Sequence, residues 1–113
     1  MNLSDLIFTG FNRRVAALDK RTGKIVWGHK LDKGQQYVTL LLDGNVLIVA
    51  VDGYMYGLDA LTGEQLWFNE MTGYGTGVTS LVSLNGSAQN LTAAAAAAAA
   101  VAAGSDSGST TAT

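Results

Sequence analysis

An all-β fold built from a repeated four-stranded unit is what this sequence predicts, and three observations carry the prediction. The chain repeats itself: Ala17-Leu18-Asp19-Lys20-Arg21-Thr22-Gly23-Lys24-Ile25-Val26-Trp27 returns later, without a gap, as Gly57-Leu58-Asp59-Ala60-Leu61-Thr62-Gly63-Glu64-Gln65-Leu66-Trp67. Each period consists of short runs rich in Val, Ile, Leu, Tyr and Trp bounded by Gly-containing turns, the mark of antiparallel strands joined as hairpins. The composition agrees: 113 residues with 48% hydrophobic, 14 Gly and no Pro make one domain at most.

The strands follow in order from this punctuation. The first, residues 6–9, is bounded by Asn12-Arg13. Residues 15–19 run into the Thr22-Gly23 turn, and 24–30 emerge from it carrying Trp27. Lys33-Gly34 precedes 37–42, Asp43-Gly44 separates that strand from 46–51, and Asp52-Gly53 leads to 55–59. Thr62-Gly63 then opens 65–69, which carries Trp67. The glycine-rich stretch 73–77 precedes a last strand, 78–84, stopped by Asn85-Gly86. Glycine supplies positive φ in such turns, and Asp, Asn and Thr bond to nearby backbone. Four short strands in a repeat of about 40 residues is the period of a β-propeller blade.

The repeated residues also carry a resemblance. Ala17, Asp19, Thr22, Gly23 and Trp27, with their second copy Gly57, Asp59, Thr62, Gly63 and Trp67, resemble the tryptophan-docking motif of PQQ-type (quinoprotein dehydrogenase-like) β-propeller repeats. The likeness covers roughly residues 5 to 85. It implies that the Asp-to-Gly stretch joins the third strand to the outer fourth. It also implies that Trp27 and Trp67 pack on the equivalent turn of a neighbouring blade. Gly57, where the first copy has Ala17, departs from the pattern. The residues alone support the same structural role, since a buried indole covers a large flat area.

Two blades per chain are too few. A closed propeller takes roughly 4 to 8 blades, so homo-oligomerisation is expected to complete it. The phase of the repeat shows how. The chain enters at a second strand, makes one full blade over 37–69 and ends on an inner strand, 78–84, that the first blade lacks. Exchange of that strand between copies, through Val78 and Leu81, would make a head-to-tail ring, a trimer with six blades or a tetramer with eight. Charge agrees with that order. All seven Lys and Arg lie at or before residue 33 against three acids, and six acids with no base follow. Lys24 aligns with Glu64 and Lys30 with Glu70, so these four residues are expected at the contacts between subunits.

The propeller repeats are therefore assigned to residues 1–87. Residues 88–113 form an Ala-, Gly-, Ser- and Thr-rich tail with a potential helix over 93–103, Thr92 as its cap and Gly104 as its stop.

Chemistry is sparse. Without cysteine there is no disulfide, no thiol nucleophile and no Cys-based metal site, and a lone His29 builds no multi-His site. His29 is expected on an outer strand facing solvent. No cofactor, metal or catalytic residue is assigned. A net charge of −2 disfavours nucleic acid. The longest small or apolar run, Ala93 to Ala103, falls far short of the roughly 20 residues that span a bilayer. Met1-Asn2-Leu3-Ser4-Asp5-Leu6 lacks a basic region ahead of an apolar stretch, so no secretory signal is read there, and cytoplasmic synthesis is expected. The favoured function is a non-catalytic, self-assembling propeller scaffold or interaction module, such as a component of a symmetric particle like a virion. A fragment of a quinoprotein-like dehydrogenase is the first alternative. A carbohydrate or small-molecule binder is the second, with Tyr37, Tyr54, Tyr56 and Tyr74 available and Tyr74 in the best-placed contact loop.

Overall fold

The computed structural model of the chain describes residues 1–35, 37–75 and 77–89. Among these residues, after a short 3-10 turn, Leu3–Asp5, nine antiparallel strands form three sheets. The first holds β1 (Leu6–Phe11), β2 (Arg14–Asp19) and β3 (Ile25–Lys30). The second holds β4 (Thr39–Asp43), β5 (Val46–Val51), β6 (Tyr54–Asp59) and β7 (Gln65–Asn69). The third is a hairpin of β8 (Ser80–Ser83) and β9 (Gly86–Gln89). Each sheet is a meander, its strands hydrogen-bonded in chain order.

The expected pair of four-stranded blades therefore appears as one complete sheet of four between sheets of three and two. The last predicted strand is shorter than read, because Val78 and Thr79 belong to the connection before β8. β9 is a strand the sequence did not announce. Gly86-Ser87-Ala88-Gln89 has no β-branched or aromatic residue, so pairing with β8 rather than propensity sets its conformation. The boundary expected at 87 consequently falls inside a strand. The helix expected over 93–103 lies outside the described residues.

The strand registers repeat as the sequence does. Leu41 stands opposite Ile48, and one period on Leu81 stands opposite Ala88. Ile7 pairs with Leu18, and Leu47 with Leu58. Hence β1, β5 and β9 occupy one blade position in three successive blades, and the β8–β9 hairpin begins the third.

The core sits between the first two sheets, where alternate residues of each strand point inward. Leu6, Val15, Ala17 and Trp27 meet Leu47, Val49, Val51, Tyr56 and Leu58, with Leu31 and Val38 inserted from the β3–β4 connection. Burying each of the larger aliphatic side chains is worth about 1.5–3 kcal/mol relative to exposure. Arg13 reaches over that connection, its Nη2 donating to the Asp32 carbonyl at 2.9 Å. Tyr56 clamps it from below: Lys33 N donates to the phenol oxygen at 2.9 Å, and the phenol donates to the Lys33 carbonyl at 2.9 Å. The third sheet rests on β4, where Thr39 Oγ1 donates to the Thr79 carbonyl at 3.3 Å and Asn85 Nδ2 donates to Asp43.

Candidate interaction surface

The two copies of the repeated turn have the same local construction. In the first, Asp19 Oδ1 accepts from Arg21 N at 2.8 Å, the Asp19 carbonyl accepts from Gly23 N at 2.7 Å, and Thr22 Oγ1 accepts from Lys24 N at 3.2 Å. In the second, Asp59 Oδ1 accepts from Leu61 N at 2.9 Å, the Asp59 carbonyl from Gly63 N at 2.7 Å, and Thr62 Oγ1 from Glu64 N at 3.2 Å. Gly23 and Gly63 take the left-handed backbone, with φ of 76° and 81°, that closes each turn. Asp, Thr and Gly thus build a rigid platform from local hydrogen bonds alone.

What meets the platforms differs. Trp27 crosses from the first sheet to the second turn, where Nε1 donates to the Ala60 carbonyl at 2.9 Å. Its ring lies against Gly63: a Cβ there would stand 2.5 Å from Trp27 Cε3. Phe8 supports the indole from behind, its ring centroid 6.2 Å away. At one end of the molecule the Gly23 turn stands open, with nothing among the described residues within 4 Å of where a Cβ would be. At the other, Trp67 is 42% exposed, and its indole lies back on its own sheet over Gly57, where a Cβ would collide with Trp67 Cε2 and Nε1. The missing methyl at 57 is what lets the ring fold back, since Ala17 occupies that position in the first copy. Among the described residues Trp67 Nε1 finds no acceptor.

Both ends are apolar. Ile7, Phe11 and Val26 are exposed on the first sheet; Leu66, Trp67, Val78 and Val82 are exposed towards the other end. Leu81 is half-buried in β8. Of the charged residues expected at contacts, Lys24, Lys30 and Glu64 are exposed, and Glu70 pairs with Lys33 of its own chain at 3.4 Å. Among the described residues, the joint between the first two sheets brings neither Lys24 to Glu64 nor Lys30 to Glu70 as an ion pair. Among the described residues the aligned charges are thus not paired at this joint. His29 is half-buried rather than solvent-facing, with Nε2 3.2 Å from Gln65 Oε1 across that joint.

The tyrosines separate. Tyr37 and Tyr54 line an open cleft of about 510 Å³ with Gly34, Asp52 and Val78. Tyr74 stands over a neighbouring cleft with Met55 and Met71. Tyr56 is 1% exposed and fully engaged with Lys33, so, against the sequence expectation, it is not available to a ligand. Sequence reasoning also missed the Ala60 carbonyl, Gln65 and Arg13. Backbone acceptors leave no mark in a motif, but Tyr56 falls on the same alternation as Leu58 and was legible as core. Among the described residues no helix is long and apolar enough to cross a membrane, and no three His, Asp or Glu side chains gather as a metal site.

Comparison with known proteins places a family on these features. The model of the PQQ-repeat family described as outer membrane protein assembly factor BamB matches residues 4–112. No curated protein matches the chain.

Proposed function

Because the chain belongs to the PQQ-type β-propeller repeat family of outer membrane protein assembly factor BamB, we propose that it acts as a propeller-building module, a non-catalytic scaffold whose open ends are covered by further copies of itself. One observation carries this reading: among the described residues the same blade joint is made once and left open twice. Trp27 on the Gly63 turn is the made joint; the Gly23 turn and Trp67 are its two unused halves, at opposite ends. A head-to-tail step joins such halves, and the step closes into a ring if its rotation permits. Exposed apolar faces at both ends supply the driving force. The description of the family names an assembly factor, a role that suits a surface built for protein contacts.

Light scattering coupled to size exclusion tests it. A discrete species at three or four times 11.7 kDa is the expected result; a monomer at every accessible concentration overturns the reading. The open cleft at Tyr37, Asp52 and Tyr54 favours a second reading, a carbohydrate or small-molecule binder. A melting temperature raised by sugars in the wild type but not in Tyr54→Ala would support it.

A further inference from the structure

The self-association proposed above meets an obstacle in β9, and the obstacle shows how the copies join. β9 follows β1 by two full periods of the repeat and holds the same blade position. In the chain, Leu81 and Val82 of β8 face Ala88 and Ser87. In a blade composed of β8 from one copy and β1, β2 and β3 from the next, the same two residues face Phe8 and Ile7. One edge of β8 therefore has two claimants once a second copy is present.

The claimants are unequal. β9 is four residues, Gly86-Ser87-Ala88-Gln89, of low strand propensity, whereas β1 offers six, Leu6-Ile7-Phe8-Thr9-Gly10-Phe11. β1 also lies at the edge of its sheet, its outer side without a strand partner among the described residues. Ile7 and Phe11, 49% and 68% exposed, wait on the face turned away from the core. We propose that β9 is a placeholder strand: it covers the edge of β8 in the lone chain and is displaced by β1 of a second copy. A protected edge of this kind keeps free chains from indiscriminate strand pairing, and its exchange supplies main-chain hydrogen bonds at the new joint. The same step carries the Gly23 turn of the second copy to Trp67, with the Lys20 carbonyl in the place that Ala60 holds for Trp27.

The chain has no cysteine, so engineered pairs report cleanly. Under mild oxidation, Ile7→Cys with Val82→Cys is expected to give a ladder of disulfide-linked chains extending beyond the dimer, because each link joins residue 7 of one copy to 82 of another. Val82→Cys with Ser87→Cys should close within single chains in dilute protein and lose that bond in the assembled fraction. The placeholder model is overturned if assembled protein closes the 82–87 bond and forms no 7–82 ladder; the self-association reading then stands. A monomer by light scattering at every concentration removes both. A second variant guards against misfolded cysteine mutants. Adjacent strand residues donate in opposite directions, so Ser87→Pro with Ala88→Pro removes one of the two donors that β9 presents to β8. Weakening the competitor should lower the concentration at which half the chains assemble, by about tenfold for 1.4 kcal/mol of lost pairing. A rise in that concentration would overturn the proposal.

Discussion

Gly23 and Gly63 share a backbone conformation but not a neighbourhood, and the difference separates two costs that usually arrive together. Alanine in left-handed backbone is strained by about 1–2 kcal/mol wherever it sits. At Gly63 the added methyl also runs into the six-membered ring of Trp27, 2.5 Å from Cε3, and overpacking of this kind adds about 1–3 kcal/mol. Gly63→Ala should therefore destabilise the unassembled chain clearly more than Gly23→Ala, as measured by urea denaturation below the assembly concentration. Equal losses would mean that Trp27 moves aside freely, and that its bond to the Ala60 carbonyl contributes little. The repeat made both turns legible, since Asp, Thr and Gly recur at fixed spacing. It did not reveal which turn carries an indole, because that depends on what lies one blade further along. Gly57 is the clearest case: read from the sequence it is a small departure from Ala17, but in the structure it is the gap into which Trp67 lies back.

The connection between β3 and β4 starts with a backbone bond from Leu31 N to the Arg13 carbonyl at 2.7 Å, and side chains from both flanking sheets hold the rest. Tyr56 gives and accepts a hydrogen bond at Lys33, and Arg13 donates across to Asp32. Burial pushes the Tyr56 phenol above the ordinary 10.0, opposed by its hydrogen bond to the Lys33 backbone. Between the unfolded and the folded pKa the unfolded chain binds fewer protons, so stability is retained below pH 10 and falls as pH rises through and beyond it. Tyr56→Phe should cost about 1–3 kcal/mol at neutral pH, because the Lys33 backbone groups lose a buried partner. It should also flatten the alkaline fall. Both effects are readable from denaturant midpoints at pH 7 and pH 11, and an unchanged slope at high pH would place the alkaline loss on other groups. The strands that this connection links were readable because apolar runs and glycine turns alternate. The strand missed, β9, follows a turn that Asn85-Gly86 does mark but has no apolar run: small residues adopt it because β8 presents a ladder, and a ladder is a tertiary fact.

At the scale of the molecule, the period of the repeat made the incompleteness of the chain readable, and the three sheets give it a geometry. The first sheet turns Leu6 and Phe8 to the core and Ile7 and Phe11 away from it. The charges are legible only in part at this scale: within the chain Glu70 pairs with Lys33, while Lys24, Lys30 and Glu64 stand exposed. Phe11 separates folding from assembly. It is 68% exposed in the single chain, so Phe11→Asp should change the stability of that chain by only about 0.5 kcal/mol. In an assembly that covers this face, the same carboxylate would be buried without a partner, at a cost of several kcal/mol. Light scattering of Phe11→Asp should therefore report a monomer where the wild type is assembled. Its melting temperature should also lose the dependence on protein concentration that linkage to assembly imposes on the wild type. If Phe11→Asp assembles as the wild type does, the outward face of β1 is not where copies meet, and the composite blade would have to be abandoned for a joint that leaves this sheet open.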